Sequence, residues 1–432
     1  MDSEKLLFYE ALLQQLQDDG FDDVIANLKQ HVKVEPNGLL RKNHLFELFR
    51  NTAYLSSRVV SGVDSSDPEA LAHSSESRIL DVLNTVDNSG VILDPLFKIT
   101  GFGKFCDFPT YRPCVTVTES YDGSLLATAG AGGALHIIPT VEANSDGMNR
   151  KPNWQVTTRL HGHQEDVEAI DFHPRRNIIA SGSSSHSIII HDINLSNGFI
   201  NSASDIQHLP NNSKIRCLRF HPCGDFLYTG TDSSIVRLYD VTTGACFTST
   251  QIRQQHQGGG VNDCDVLHSG GLFFTGGDDG SMLIWDGKTL DVLKSFDNIH
   301  GGTPVTSINC DKHDFYVVSS GQDGTTKVFD LRMMREMTSV GNANRPGAVR
   351  TISDFMLNSH YIATLSSIKS GRRATSEVHI YCIDTGSQEA DISNVLGRSP
   401  ITAMMASRHQ MALYLLAEDA SCKVVNIFDP SA

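Results

Sequence analysis

Short bursts of alternating apolar and polar residues fill most of this chain, and they close alike. Six are strand endings anchored by aromatic, aliphatic or Pro residues: HIIP at 136–139, IIIHD at 188–192, RLYD at 237–240, LIWD at 283–286, KVFD at 327–330 and NIFD at 426–429. A looser one, HIYCID at 379–384, fills the remaining gap. Alternation over runs this short predicts half-buried strands, and turn residues such as YDG at 121–123 separate them. From Asp192 the steps to Asp240, Asp286, Asp330, Asp384 and Asp429 are 48, 46, 44, 54 and 45 residues.

A period of about 40–45 residues with a WD-like close is the pattern of a β-propeller, each repeat supplying one four-stranded blade. Seven closings predict seven blades over 96–432. The first begins near CVTVTES at 114–120, and a polar insertion, EANSDGMNRKPNW at 142–154, reads as a surface loop.

The pattern differs at the start. Over 4–17 the apolar residues Leu6, Leu7, Tyr9, Leu12, Leu13 and Leu16 recur at helical spacing. Gly20 ends that helix, a second starts near Asp22, and a third covers 39–55. Three short helices cannot close a core alone, so 1–56 is expected to be a small all-α domain that dimerises. Leu12, Leu16, Phe21, Ile25 and Leu28 are its candidate contacts. Residues 57–95 read as a flexible linker, since 61–94 hold seven acidic residues against Arg78 alone. The expected fold is therefore an all-β seven-bladed WD40 β-propeller with a small N-terminal all-α dimerisation domain.

Composition narrows function. The 432 residues carry 35 Lys and Arg against 50 Asp and Glu, a formal charge of -15, which opposes nonspecific capture of nucleic acid. One sector, 327–373, is locally basic. Arg345, Arg350, Lys369, Arg372 and Arg373 are its candidates for receiving an acidic peptide or an RNA backbone. The nine Cys contain no CxxC and no zinc-site spacing, which fits buried free thiols in a reducing compartment. The N-terminus lacks the basic flank and apolar block of a signal peptide, and no apolar run is long enough to span a membrane. Cytosol and nucleus both fit.

His, Asp, Ser/Thr and Trp recur at blade spacing. The fourth repeat has His256, Thr275, Asp279 and Trp285; the fifth has His300, Ser320 and Asp323, with Phe329 in place of Trp. By type these resemble a catalytic triad. By spacing they read as a structural hydrogen-bond network that fastens the strands of a blade. The Gly runs at 258–260 and 276–277 fit no phosphate-binding motif, and Asp278–Asp279 falls short of a calcium loop. No catalytic, cofactor or metal site is expected.

EKLLFYEALLQQLQDDGFDDVIANLKQHV at 4–32 resembles the N-terminal homodimerisation domain of the WD-repeat subunits of cleavage stimulation factor. FHPCGDFLYTGTDSSIVRLYD at 220–240 and DDGSMLIWDGKTLDVLKSFDNIHGG at 278–302 are similar to their blades. The chain departs in a degenerate sixth repeat and in keeping Trp at one closing alone. The resemblance implies a nuclear, non-enzymatic scaffold in pre-mRNA 3′-end processing. It implies a homodimer through the N-terminal helices and a HAT-repeat partner subunit docked on the propeller. Contact with pre-mRNA would come through the complex. Another WD40 adaptor, a ubiquitin-ligase substrate receptor or a chromatin or RNP scaffold, is the alternative.

Overall fold

The structure, a computed structural model, describes residues 101–428 apart from 111–112, 143–149, 197–198, 250–255, 258, 342–347, 357–358, 371–372, 394–398 and 411. The expected helical domain and linker lie outside the described residues.

Seven antiparallel sheets make the seven blades of an all-β propeller. One strand stands apart in sequence, β1 (Gly101–Pro109). Blade one is β2 (Cys114–Glu119), β3 (Leu125–Gly130) and β4 (Ala134–Glu142), with β5 (Arg150–Pro152) and β6 (Thr158–Leu160) both pairing β4. Blade two is β7 (Val167–Phe172), β8 (Ile178–Ser183), β9 (Ser187–Ser196) and β10 (Phe199–Pro210). Blade three is β11 (Ile215–Phe220), β12 (Phe226–Thr231), β13 (Arg237–Asp240) and β14 (Cys246–Thr248). Blade four is β15 (Val261–Val266), β16 (Leu272–Gly277), β17 (Met282–Asp286) and β18 (Val292–Phe296). Blade five is β19 (Val305–Cys310), β20 (Tyr316–Gly321), β21 (Thr325–Asp330) and β22 (Arg335–Gly341). Blade six is β23 (Ala348–Phe355), β24 (Tyr361–Ser370), β25 (Arg373–Cys382) and β26 (Gln388–Asp391). Blade seven is β27 (Ile401–Ala406), β28 (Ala412–Ala417) and β29 (Ser421–Phe428).

That last blade is completed by β1, which lies antiparallel to β29 with Gly101 opposite Phe428 and Pro109 opposite Ser421. The two ends of the repeat region thus share one sheet, which closes the ring without a free edge at the seam.

In every blade the first strand is innermost. Each inner strand carries a one-residue bulge near its start, at Val115, Glu168, Arg216, Asn262, Thr306, Val349 and Thr402. A bulge re-aims its side chain, and four of these reach the next blade. Arg216 donates to Asn262 and Asp278, Asn262 to Val305 O, Thr306 to Thr351 O and Thr402 to Cys114 O.

The apolar core lies between blades. Tyr228 of blade three stacks on Phe273 of blade four, centroids 4.1 Å apart, in a cluster with Trp285, Val261 and Cys217. Close approach of neighbouring blades demands a small residue on the second strand. A Cβ on Gly276 would lie 2.5 Å from Val305 Cγ1. Full burial of each large apolar side chain contributes about 1.5–3 kcal/mol, so these seams dominate stability.

Candidate functional site

The closing residues of the repeats have a local job. Asp240, Asp286 and Asp330 each accept two backbone N–H groups from the turn that follows: Thr242 and Thr243, Lys288 and Thr289, Arg332 and Met333. A carboxylate fits this place because it satisfies two turn donors at once.

In blade four the four candidates lie in one buried chain. Trp285 Nε1 donates to Thr275 Oγ1 at 2.8 Å, and Thr275 Oγ1 lies 2.9 Å from His256 Nε2. His256 Nδ1 is 3.0 Å from both Asp279 Oδ1 and Ser281 Oγ. With Trp285 on its lone pair, Thr275 gives its proton to Nε2, which leaves Nδ1–H to face Asp279. Burial works to raise the Asp279 carboxyl, but the His256 and Ser281 bonds outweigh it and hold the group well below the usual carboxylate range. Thr275 and Trp285 are fully buried and His256 nearly so. The hydroxyl is therefore committed as donor and acceptor, and no substrate reaches it.

Blade five requires a correction. His300 Nε2 pairs with Ser319 at 2.9 Å, not with Ser320; its Nδ1 meets Thr325 Oγ1 at 3.0 Å and Asp323 at 3.3 Å. Strand alternation explains the difference. Ser319 occupies the place of Thr275, whereas Ser320 occupies the place of Gly276 and faces the next blade, where it donates to Ser353 at 2.7 Å. In blade two, His163 meets Ser181 at 2.8 Å and Ser187 at 3.3 Å, and Ser185 joins through Ser187. Desolvation lowers His163 to about 4.

The central channel is a cavity of about 800 Å³ lined by all seven inner strands. Midway along it Arg219 stands between two blades' carboxylates, 3.2 Å from Asp265 and 4.0 Å from Asp171. Inner-strand carboxylates also accept backbone N–H groups of the following blade. Asp171 takes Phe220 N, Asp263 takes Ile308 N, Asp265 takes Cys310 N and Asp354 takes Ala406 N, at 2.7–3.0 Å. These bonds join sheet to sheet where no strand pairing exists. Sequence reasoning missed this set; its signal is an acidic residue near the end of otherwise apolar inner strands.

The basic sector is only partly gathered. Arg345 and Arg372 lie outside the described residues. Arg350 is exposed and lines the channel. Register places Arg350 opposite Ser367, Lys369 opposite Ala374 and Arg373 opposite Ser370, all toward one end of blade six. Lys327 and Arg332, by contrast, are paired with Glu336 and Asp330. The dimerisation candidates Leu12, Leu16, Phe21, Ile25 and Leu28 lie outside the described residues. Among the described residues no group of three His, Cys, Asp or Glu could hold a metal ion, and no helix is long and apolar enough to cross a membrane.

The family model "WD domain, G-beta repeat" matches residues 154–192, 204–240, 247–286 and 291–330. Cleavage stimulation factor subunit 50 of Arabidopsis thaliana is 30% identical over 206 residues, 47% of this chain and 46% of that one. Pre-mRNA-processing factor 19 of Oryza sativa is 22% identical over 213 residues, 49% of this chain and 39% of its own. The chain thus spans under half the length of these curated relatives. The Cps50 (Swd1) β-propeller domain of Myceliophteria thermophila superposes with a TM-score of 0.59 at 12% identity, over 76% of this chain and 100% of that one, a likeness of fold. The chain is a seven-bladed β-propeller with four segments that match the WD repeat, and it is similar, as its sequence suggests, to cleavage stimulation factor subunit 50 and to proteins named for pre-mRNA processing.

Proposed function

We propose that the chain is a non-enzymatic scaffold subunit of the mRNA 3′-end cleavage and polyadenylation machinery, acting in the nucleus. Its N-terminal helices form the homodimer, with Leu12, Leu16, Phe21, Ile25 and Leu28 at the contact. The propeller docks the HAT-repeat subunit, with Arg345, Arg350, Lys369, Arg372 and Arg373 as candidate partner contacts. Pre-mRNA is reached through the assembled complex. The observation that carries this reading is the similarity to cleavage stimulation factor subunit 50, which is shared with other proteins named for pre-mRNA processing. The committed, buried His–Thr–Trp chain of blade four supports a structural rather than a chemical role for the triad-like residues.

Light scattering on the full chain beside a chain lacking residues 1–60 tests the dimer: a dimer that becomes a monomer is expected. Co-purification tests the partner. A HAT-repeat protein retained on the tagged full chain is expected. A monomeric full chain, or a cullin adaptor retained in its place, overturns the reading.

A further inference from the structure

The two mouths of the channel differ in charge. At the mouth where inner strands begin, Arg216 is spent on Asp278 and Asn262, exposed Arg350 and exposed Glu168 both line the cavity, and Asp232 and Glu418 are exposed where second strands end. The other mouth is formed by the turns between first and second strands. There Arg175, Lys312 and Arg408, from blades two, five and seven, are exposed and line the cavity. None of the three has an ion-pair partner within 4.0 Å among the described residues.

The carboxylates beside them are engaged by backbone N–H groups and a serine hydroxyl. Asp311 accepts from the N–H groups of His313, Phe315 and Tyr316, and Glu119 accepts from Ser407 Oγ and Arg408 N. Asp225 is exposed on the same side but does not line the cavity. Tyr121, 45% exposed, adds an aromatic face to the rim.

We propose that this turn-lined mouth is a docking site for a short acidic peptide segment of a partner protein, its carboxylates meeting Arg175, Lys312 and Arg408 and its apolar side chains entering the channel against Phe220, Met356 and Met404. Three free cations set around a ring match a few carboxylates on a compact segment. They do not form the continuous track that a nucleic-acid backbone follows. The carboxylates deeper in the channel and the chain's net charge of -15 oppose a long polyanion further.

The test is fluorescence anisotropy of a labelled oligo-glutamate peptide on the full chain, with an oligouridylate RNA as competitor. Saturable binding that weakens with salt is expected. The double variant Lys312→Glu with Arg408→Glu is expected to weaken it by about tenfold or more. Arg335→Glu, a single charge reversal at an exposed site on β22, is expected to change it by less than about twofold. Unchanged melting temperatures show that each variant is folded. Equal loss in both variants overturns the proposal, as does displacement of the peptide by the RNA at lower concentration. Absence of binding at low salt overturns it too. None of these outcomes depends on which complex the protein joins, so failure here leaves the scaffold reading standing.

Discussion

Thr275 and Ser319 sit at the same place in successive blades, and each ties a buried imidazole through its hydroxyl. Ser319→Ala leaves His300 Nε2 without that partner in a site only 1% exposed, which costs about 1–3 kcal/mol. Ser320→Ala is expected to cost under about 1 kcal/mol, because Thr326 and Ser353 still bond each other at 2.7 Å and no polar atom is orphaned. Thermal denaturation of the two variants checks this, and equal losses would contradict the assignment. The serine pair also shows the limit of spacing as a guide. Residue type and period located the polar cluster to within one position. Which of two adjacent serines faces the histidine depends on strand phase, and a bulge near the start of the inner partner strand shifts the apparent count. Where Trp, Thr and a turn Asp were each unambiguous, as in blade four, the network was readable residue by residue.

At the scale of elements, third strands were the legible ones, and in blades three, four and five each ends on an Asp that caps the following turn. Outer strands were not. β1 and β10 pair along one edge only and need no strict alternation, so GFGKFCDFP and FINSASDIQHLP carry a weak signal. Blade six differs in another way. Its β24–β25 hairpin has ten paired positions where β20–β21 has five, an overhang of about 16 Å at roughly 3.3 Å per residue. The 54-residue step there, the widest of the five, reflects in part this longer hairpin. β1 has the largest consequence for its length. Removing Gly101–Pro109 takes away every backbone partner on one edge of β29. The expected result is loss of a single cooperative melting transition, with self-association through the bared edge. Calorimetry with light scattering reads both. A truncated protein that melts in one step as a monomer would show that three strands suffice for the last blade.

Across the whole molecule, burial and hydrogen bonding push channel and turn carboxylates in opposite directions. Burial raises Asp354 and Asp311 to about 6, against the pull of the backbone N–H groups they accept. Unfolded, such carboxylates titrate near about 4. Between those values the folded protein holds more protons than the unfolded chain. Their contribution to stability is therefore fully present below about pH 4 and is lost as pH rises through about 6. For Asp279 and Asp323 burial works upward too, but the bonds from the blade histidines and turn residues win and lower both groups. Their contribution is present above about pH 4 and is lost as pH falls through the depressed values. The melting temperature should then peak in the mildly acidic range. Asp354→Asn keeps an acceptor for Ala406 N and removes the loss on the alkaline side. A gain of order 1 kcal/mol above about pH 6 is expected, discounted because the group faces a channel open to water. Melting curves at about pH 5 and about pH 7.5 test it, and an unchanged slope for the variant would contradict it. The seven-fold architecture was legible from period alone. The channel's charge arrangement was not, because it depends on which inner-strand positions face one another across the ring.

Gly101 and Phe428 are neighbours in the ring yet more than three hundred positions apart along the chain. During translation β1 emerges early and waits, its pairing edge open, until the last strand of the repeats has been made. A message cut short, or a ribosome that stalls before Ser421, yields a protein that cannot seal its seam and displays an unpaired strand from the start. The ring thereby checks its own length. An incomplete copy leaves open the strand edge that, in a finished copy, is paired in the final blade.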